Sequence, residues 1–427
     1  MKFSFRIFTG FLFFLLFLFS CSTAPLPNNH TLYIPEDFLG IVHAGETKSD
    51  EEYRLLDEMN VKWVLNTFYW NDIERVKGRF DFSSYDDYVD TAKRSGKKII
   101  AVLAYDASWL FPDGKRKKYI SAGNIPYFLR YVEETVRHYK GRIDAWEVWN
   151  EPNFMFWAGS DKDFFELSRL TAQRIRETDP EAYILGGAFW RAPAGFIKNM
   201  HKAGGMDNLD GLAFHPYALN PAGSMKLYDN FSKVLSEIDF NGPVWITEIG
   251  FPTGGWYPTK VSLEEYPSYV VKTISGAAVR GARALLWYQL FDAHNEGNTS
   301  GNHNSENYFG LVYPDYRRKN GAWAYELCAK FLPGSRYSPE FPQKVNVPES
   351  VVSFCFLNDK SGANTLILWN ETNKSEKIEL SLAGQASLFD ISSGVSNPLP
   401  SGTILQVGKQ PLFIVWKGTE IPRLSGL

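Results

Sequence analysis

Cysteine is scarce, at 3 residues among 427, and no Cys-x-x-Cys pair occurs. That excludes a disulfide-framed scaffold and leaves neither a thiol redox motif nor a cysteine zinc site. Charge of either sign is also short of an excess: 45 Lys and Arg stand against 48 Asp and Glu, a formal balance of -3. Such a chain has no cationic field for neutralising many phosphates, which argues against a nucleic-acid partner. Nor does a Gly-x-Gly-x-x-Gly turn follow the first strand-like run, so a dinucleotide-binding open sheet lacks its fingerprint. What the chain does have is aromatic surface. Its 13 Trp, 22 Tyr and 32 Phe make up 16% of the residues, within a globular balance of 44% hydrophobic and 22% charged.

The N-terminus reads as an export signal. Lys2 and Arg6 precede an apolar run from Ile7 to Phe19, closed by Ser20-Cys21. The run is shorter than the roughly 20 residues a bilayer span needs and has signal-peptide flanks. It resembles a bacterial lipoprotein signal, in which Cys21 is lipidated after cleavage and anchors the protein to a membrane. Phe19 stands where such signals usually carry a small or β-branched residue, so an ordinary cleaved signal remains open, the product then being secreted or periplasmic. Either reading exports the chain. Residues 1–21 are thus a leader, and 22–35, with Pro25, Pro27 and Pro35 among polar residues, a tether.

Past the tether, short β-rich runs alternate with segments of helical period. The runs are Leu39–His43, Val61–Asn66, Lys98–Ala104, Ile143–Trp149, Tyr183–Gly187, Asp210–Phe214, Val244–Glu248 and Arg283–Leu290. The helical segments are 50–59, 84–95, 126–139, 163–178, 194–203, 228–238, 266–280 and 321–332. Several runs, Ile99–Leu103 among them, are continuously apolar, as parallel strands buried on both faces are. Repeated β-then-α units across 36–335 predict an α/β fold, a (β/α)8 TIM barrel. After Pro333-Gly334 the helical period is lost. Short strand-like runs between Asn-, Ser- and Gly-rich breakers predict a small antiparallel, sandwich-like β module over 345–420. Cys328 and Cys355 fall one in each part; a bridge between them and two buried free thiols are both open.

Barrel chemistry sits at the C-terminal ends of the strands. Two of those ends carry a glutamate behind a very apolar strand: Trp146-Glu147-Val148-Trp149-Asn150-Glu151-Pro152-Asn153, and Trp245-Ile246-Thr247-Glu248-Ile249-Gly250. Burying a carboxylate costs several kcal/mol unless it is paired or has a task. Glu147, inside its strand, reads as a buried hydrogen-bonded barrel residue. Two carboxylates facing one cleft can hydrolyse a glycosidic bond. Together the Trp149–Asn153 and Trp245–Gly250 segments resemble those of the clan A retaining glycoside hydrolases, with β-xylosidase-like and cellulase-like members nearest in character. The resemblance implies Glu151 as acid/base, Glu248 as nucleophile and Asn150 as a contact to the hydroxyl beside the reacting carbon. It further implies that His215 and Tyr217, in Ala213-Phe214-His215-Pro216-Tyr217, line the sugar subsite and orient the nucleophile, and that Trp287 is a stacking floor.

Weaker strand-end candidates for substrate contact are His43 and Asn66, for which a structural hydrogen bond is an equal alternative. Trp70–Glu74 and Gly78–Asp86 resemble a stretch of β-xylosidase-like and β-galactosidase-like clan members, with Arg75 where those usually carry proline. Two long loops flank the proposed cleft. Tyr105–Ile125 carries Lys115-Arg116-Lys117-Lys118, read as a solvated surface, with binding to an anionic polysaccharide or a membrane face as the alternative. Asp292–Tyr308 is rich in Asn, Gly and His; His294 and His303 near Glu296 and Glu306 read as ion ligands or, the more frequent use of an Asn-rich loop, the loop hydrogen-bonds sugars instead. His215 has no ligand-spaced His, Cys or acid around it in sequence, so no metal and no cofactor are expected. The expected function is a retaining β-glycosidase hydrolysing O-glycosidic bonds of a β-linked glycan. The alternative is a surface lipoprotein that binds glycans without cleaving them and has no need of two strand-end glutamates.

Overall fold

The computed structural model describes residues 31–47, 49–255, 260–295, 304–382, 384–419 and 422–427. Cys21 and its signal lie outside these residues, as do Glu296 and His303. The first strand, β1 (Leu32–Tyr33), precedes a closed barrel of eight: β2 (Leu39–Val42), β3 (Trp63–Tyr69), β4 (Lys98–Ala104), β5 (Ala145–Val148), β6 (Ile184–Trp190), β7 (Gly211–His215), β8 (Val244–Ile249) and β9 (Ala284–Trp287). Neighbours pair in parallel, and β9 returns to β2 through Leu39 opposite Leu285. In β4 every residue from Ile99 to Ala104 is buried, because the barrel interior lies on one side and the helical layer on the other.

Three of the barrel helices begin at a short polar side chain that caps them. Ser49 accepts from the Glu52 amide at 3.1 Å, and Ser160 from Asp163 at 3.2 Å. Asn220 accepts from Gly223 at 2.8 Å and Pro221 follows it, so that helix runs Pro221–Glu237 rather than starting at 228. A capping Asn followed by Pro at the first helical position starts a helix before its apolar stripe does.

The remainder of the chain is a β module: β10 (Arg336–Tyr337), β11 (Gln343–Val345), β12 (Val351–Leu357), β13 (Ala363–Asn370), β14 (Glu376–Ser381), β15 (Ala386–Phe389), β16 (Ser396–Leu399), β17 (Thr403–Val407), β18 (Leu412–Lys417) and β19 (Arg423–Gly426). One sheet runs β1-β10-β12-β13-β18-β15-β16 and the other β11-β19-β14-β17. Pairing is antiparallel except between β11 and β19. Leu32 and Tyr33, read from sequence as tether, pair with Tyr337 and Arg336, so the chain enters the barrel from the edge of the module's sheet. Phe331, at the end of the last barrel helix, packs on Phe389 and Phe413 at centroid distances of 5.3 and 6.0 Å. Cys328 and Cys355 are both free and buried. No bridge joins the two parts; each thiol fills apolar space as a small hydrophobe, and burial pushes the Cys355 thiol up to about 12.

Candidate active site

The exit of β5 is shaped by its aromatic residues. Trp149 is fully buried, edge-on to Tyr105 and Trp157, and its Nε1 donates to the Phe156 carbonyl at 3.0 Å. Trp149 and Glu151 both take positive φ, 67° and 43°, a cost tolerated where surrounding contacts over-determine the backbone. Those contacts run to the exit of β6. The Glu151 amide donates to the Ala188 carbonyl at 3.0 Å. Asn153 bonds Trp190 in both directions, its Nδ2 donating to the carbonyl at 2.8 Å and its Oδ1 accepting from the amide at 3.0 Å. Asn150 donates to the Tyr105 hydroxyl at 3.0 Å.

At the exit of β8 no residue takes a positive φ, the pairing with β9 shifts register between Ile246 and Ile249, and the carboxylate is held by side chains. The Tyr217 hydroxyl donates to Glu248 Oε2 at 3.3 Å, and His215 Nδ1 lies 3.7 Å from the same oxygen. Gly250 follows because a Cβ there would stand 2.0 Å from the Tyr288 carbonyl oxygen, where the β9 exit crosses.

His215 joins the two glutamates. Its Nδ1 is 2.9 Å from Glu151 Oε1, its Nε2 3.0 Å from Thr247 Oγ1, and the ring is wholly buried. Burial opposes its charge, but Glu248, Glu151 and Glu147 outweigh that and push it up to about 9. The ring is therefore a cation at neutral pH. Burial also pushes Glu147 up to about 7, His215 drawing it down and Glu248 adding to the rise. Glu147 fits the buried role read for it, although its Oε2 has no hydrogen-bond partner. Glu248 is raised too, chiefly by burial and then by Glu151, against the pull of His215, His43 and Tyr217. One cation faces three carboxylates, and like charges this close cannot all stay ionised.

One ligand atom from each of Glu151, His215 and Glu248 lies within 4.8 Å of the others, a set that sequence spacing did not foreshadow. Both ring nitrogens are already engaged within the site, Nδ1 with Glu151 and Nε2 with Thr247.

The other sequence candidates divide. His43 lies at the cleft edge, bonded to Glu46 Oε1 at 2.7 Å and edge-on to Tyr288. Asn66 is half-buried within β3. Trp287 departs from its expected place: it is fully buried, and its Nε1 donates to the Tyr266 hydroxyl at 3.1 Å, in the helical layer. Alternate residues of a strand face opposite sides. Tyr288, one residue on, is the aromatic that faces His43 and Phe309, and its hydroxyl donates to Glu306 Oε2 at 3.1 Å. A one-residue slip in register separates the two readings.

The flanking loops are tied from inside. Asp106 accepts from the amides of Lys117 and Lys118, the latter at 2.9 Å, which folds the basic run back. Asp292 Oδ2 meets Lys319 Nζ at 2.6 Å in a buried pair, and Lys319 also donates to Thr253 Oγ1 at 2.8 Å. Glu74 accepts from Trp70 Nε1 at 2.6 Å and its carbonyl from Trp109 Nε1 at 2.8 Å, so the Trp70–Glu74 segment braces the Tyr105–Ile125 loop.

Comparison with known proteins agrees with the barrel fold. Residues 36–161 match the model of glycosyl hydrolase family 10. A β-xylosidase of Caldicellulosiruptor saccharolyticus is 29% identical over 154 residues, a match spanning 31% of this chain and 31% of that protein. A family 39 glycoside hydrolase from the gut symbiont Bacteroides cellulosilyticus WH2 superposes with a TM-score of 0.74 at 21% identity, covering 90% of this chain and 81% of that one. A monomeric β-xylosidase from Caulobacter crescentus CB15 does so with a TM-score of 0.64 at 14% identity, covering 91% and 98%. These matches support a glycoside hydrolase. In its barrel, in the matched segment and in its neighbours, the chain resembles the clan A glycoside hydrolases.

Proposed function

We propose that the chain is a retaining β-glycosidase cleaving O-glycosidic bonds of a β-linked glycan or oligosaccharide by double displacement. The observation that carries this reading is the carboxylate pair, with oxygens of Glu151 and Glu248 within 4.8 Å across a shared imidazole. Retaining enzymes hold their two carboxyl groups about 5–5.5 Å apart, whereas inverting ones leave room for a water at roughly 6.5–9.5 Å. Glu248, steadied by Tyr217 and facing the His215 cation, attacks the anomeric carbon. As that C–O bond forms, the bond to the leaving oxygen breaks and Glu151 gives it a proton. Glu151 then takes a proton from water, which attacks the same carbon and releases Glu248. Asn150, Tyr217, Tyr288 and His43 are the proposed sugar contacts. A protein that only bound glycans would have no use for a second carboxylate buried against the first.

Aryl β-glycosides and β-linked oligosaccharides test the reading, xylosides first because two relatives are named β-xylosidases. Hydrolysis of at least one, lost in both Glu151→Ala and Glu248→Ala on unactivated substrates, is expected; inactivity across the panel overturns the proposal. Export with lipidation at Cys21 is proposed from sequence alone. Cys21→Ala then moves the protein out of the membrane fraction, and an unchanged distribution argues for the ordinary signal.

A further inference from the structure

The loop that carries Glu151 continues into two exposed apolar side chains, Phe154 at 39% and Met155 at 62% exposure. Single exposed hydrophobics are ordinary and need no account. Phe154 differs in being built into place. Its ring stacks on Trp190 with centroids 4.0 Å apart and planes 14° from parallel. The Arg191 guanidinium lies 5.4 Å from the Trp190 ring. The Phe154 amide donates to the Glu151 carbonyl at 3.1 Å, and Asn153, between them, holds the Trp190 backbone by its two hydrogen bonds. An aromatic pair is thereby fixed to the segment that positions the acid/base carboxyl, and one of its rings remains open to water.

We infer that Phe154, backed by Trp190, is the platform on which the leaving group of the substrate stacks. The inference rests on the glycosidase reading. The acid/base group protonates the oxygen of the leaving group, so whatever departs must lie beside the Glu151 loop. The ligand that fits is a ring with an apolar C–H or π face, either a second sugar or an aryl aglycone; such faces pack on aromatic side chains.

Phe154→Ala and Trp190→Ala test this with three substrates sharing one glycone: a β-linked disaccharide, an aryl β-glycoside and the β-glycosyl fluoride, whose leaving group has no ring. Each variant is expected to lose about tenfold in kcat/KM on at least one ring-bearing substrate, with a several-fold smaller loss on the fluoride. Loss confined to the disaccharide identifies a sugar as the occupant, and loss confined to the aryl glycoside an aryl group. Equal losses on all three show a merely structural pair and overturn the inference, as do losses on none. Were the parent protein to cleave no glycoside, the glycosidase reading itself would fall first.

Discussion

The exits of β5 and β8 deliver one glutamate each to the same cleft and hold it by opposite means. At β5 the loop's backbone is what is fixed: positive φ at Trp149 and Glu151, a hydrogen bond from the Glu151 amide to the Ala188 carbonyl, and the Asn153 side chain's two bonds to the Trp190 backbone. At β8 the strand keeps negative φ throughout, with a register shift against β9 between Ile246 and Ile249, and the carboxylate itself is held, by the Tyr217 hydroxyl and by His215 facing it. The difference suits the two proposed tasks. A nucleophile must present one oxygen to one carbon, which hydrogen bonds to its carboxylate arrange directly. An acid/base must serve a leaving group and then a water, so its loop is fixed while its carboxyl has, among the described residues, one hydrogen-bond partner, His215.

The comparison is tested most severely at the carboxylates. Glu248→Ala should lower kcat by on the order of 10⁴-fold or more on every substrate, since no other group is placed to form the covalent intermediate. Glu151→Ala should cost about 10²–10⁴-fold on substrates with poor leaving groups and much less on activated aryl glycosides, where azide restores turnover with a β product. Equal losses on both substrate types would erase the distinction between the exits. One step down, Tyr217→Phe removes a hydrogen bond to the β8 carboxylate and should lower kcat by about tenfold, with folding stability little changed. Asn153→Ala should show the reverse pattern. It strips both partners from the Trp190 backbone, so thermal stability falls by about 1–3 kcal/mol, and activity falls because the loop loosens. Steady-state kinetics and denaturant unfolding on the same two variants decide this.

A smaller effect concerns pH. His215 is raised from 6.5 to about 9 in the folded protein, so it binds more proton when folded. The stability this contributes is full below about pH 6.5 and is lost as pH rises through 9. Glu147, raised from 4.5 to about 7, acts in the same direction over the lower window. Melting temperature should therefore decline from pH 5 to pH 9. Glu147→Gln should flatten the part below pH 7 and His215→Asn the part above it; unchanged slopes in both would remove the shared cation from the account.

How much of this was legible beforehand follows from the physics of each element. Continuous apolar runs such as Ile99–Leu103 mark strands buried on both faces, and with helical periods between them the barrel could be read. Glu151 and Glu248 were legible because a carboxylate at the end of an apolar strand is conspicuous. Register was not. Nothing in Leu286-Trp287-Tyr288 says which ring faces inward, and the larger one proved to be packing. The Asn153–Trp190 bond joins residues 37 apart and leaves no periodic trace. The Asn220-Pro221 start was written in the chain but was masked by the weaker apolar stripe that follows it. Short module strands such as β1, β10 and β16 owe their existence to neighbours rather than to their own composition. Ser396, Asn397 and Pro398 of β16 are all exposed.

The central claim, that these two differently held carboxylates act in succession on one carbon, is tested most directly by the configuration of the first-formed product. Proton NMR of the early reaction, recorded before mutarotation, should show the β anomer, because two displacements restore the starting configuration. Initial appearance of the α anomer would mean that water attacks directly, and would contradict Glu248 as nucleophile whatever the activity of its variants.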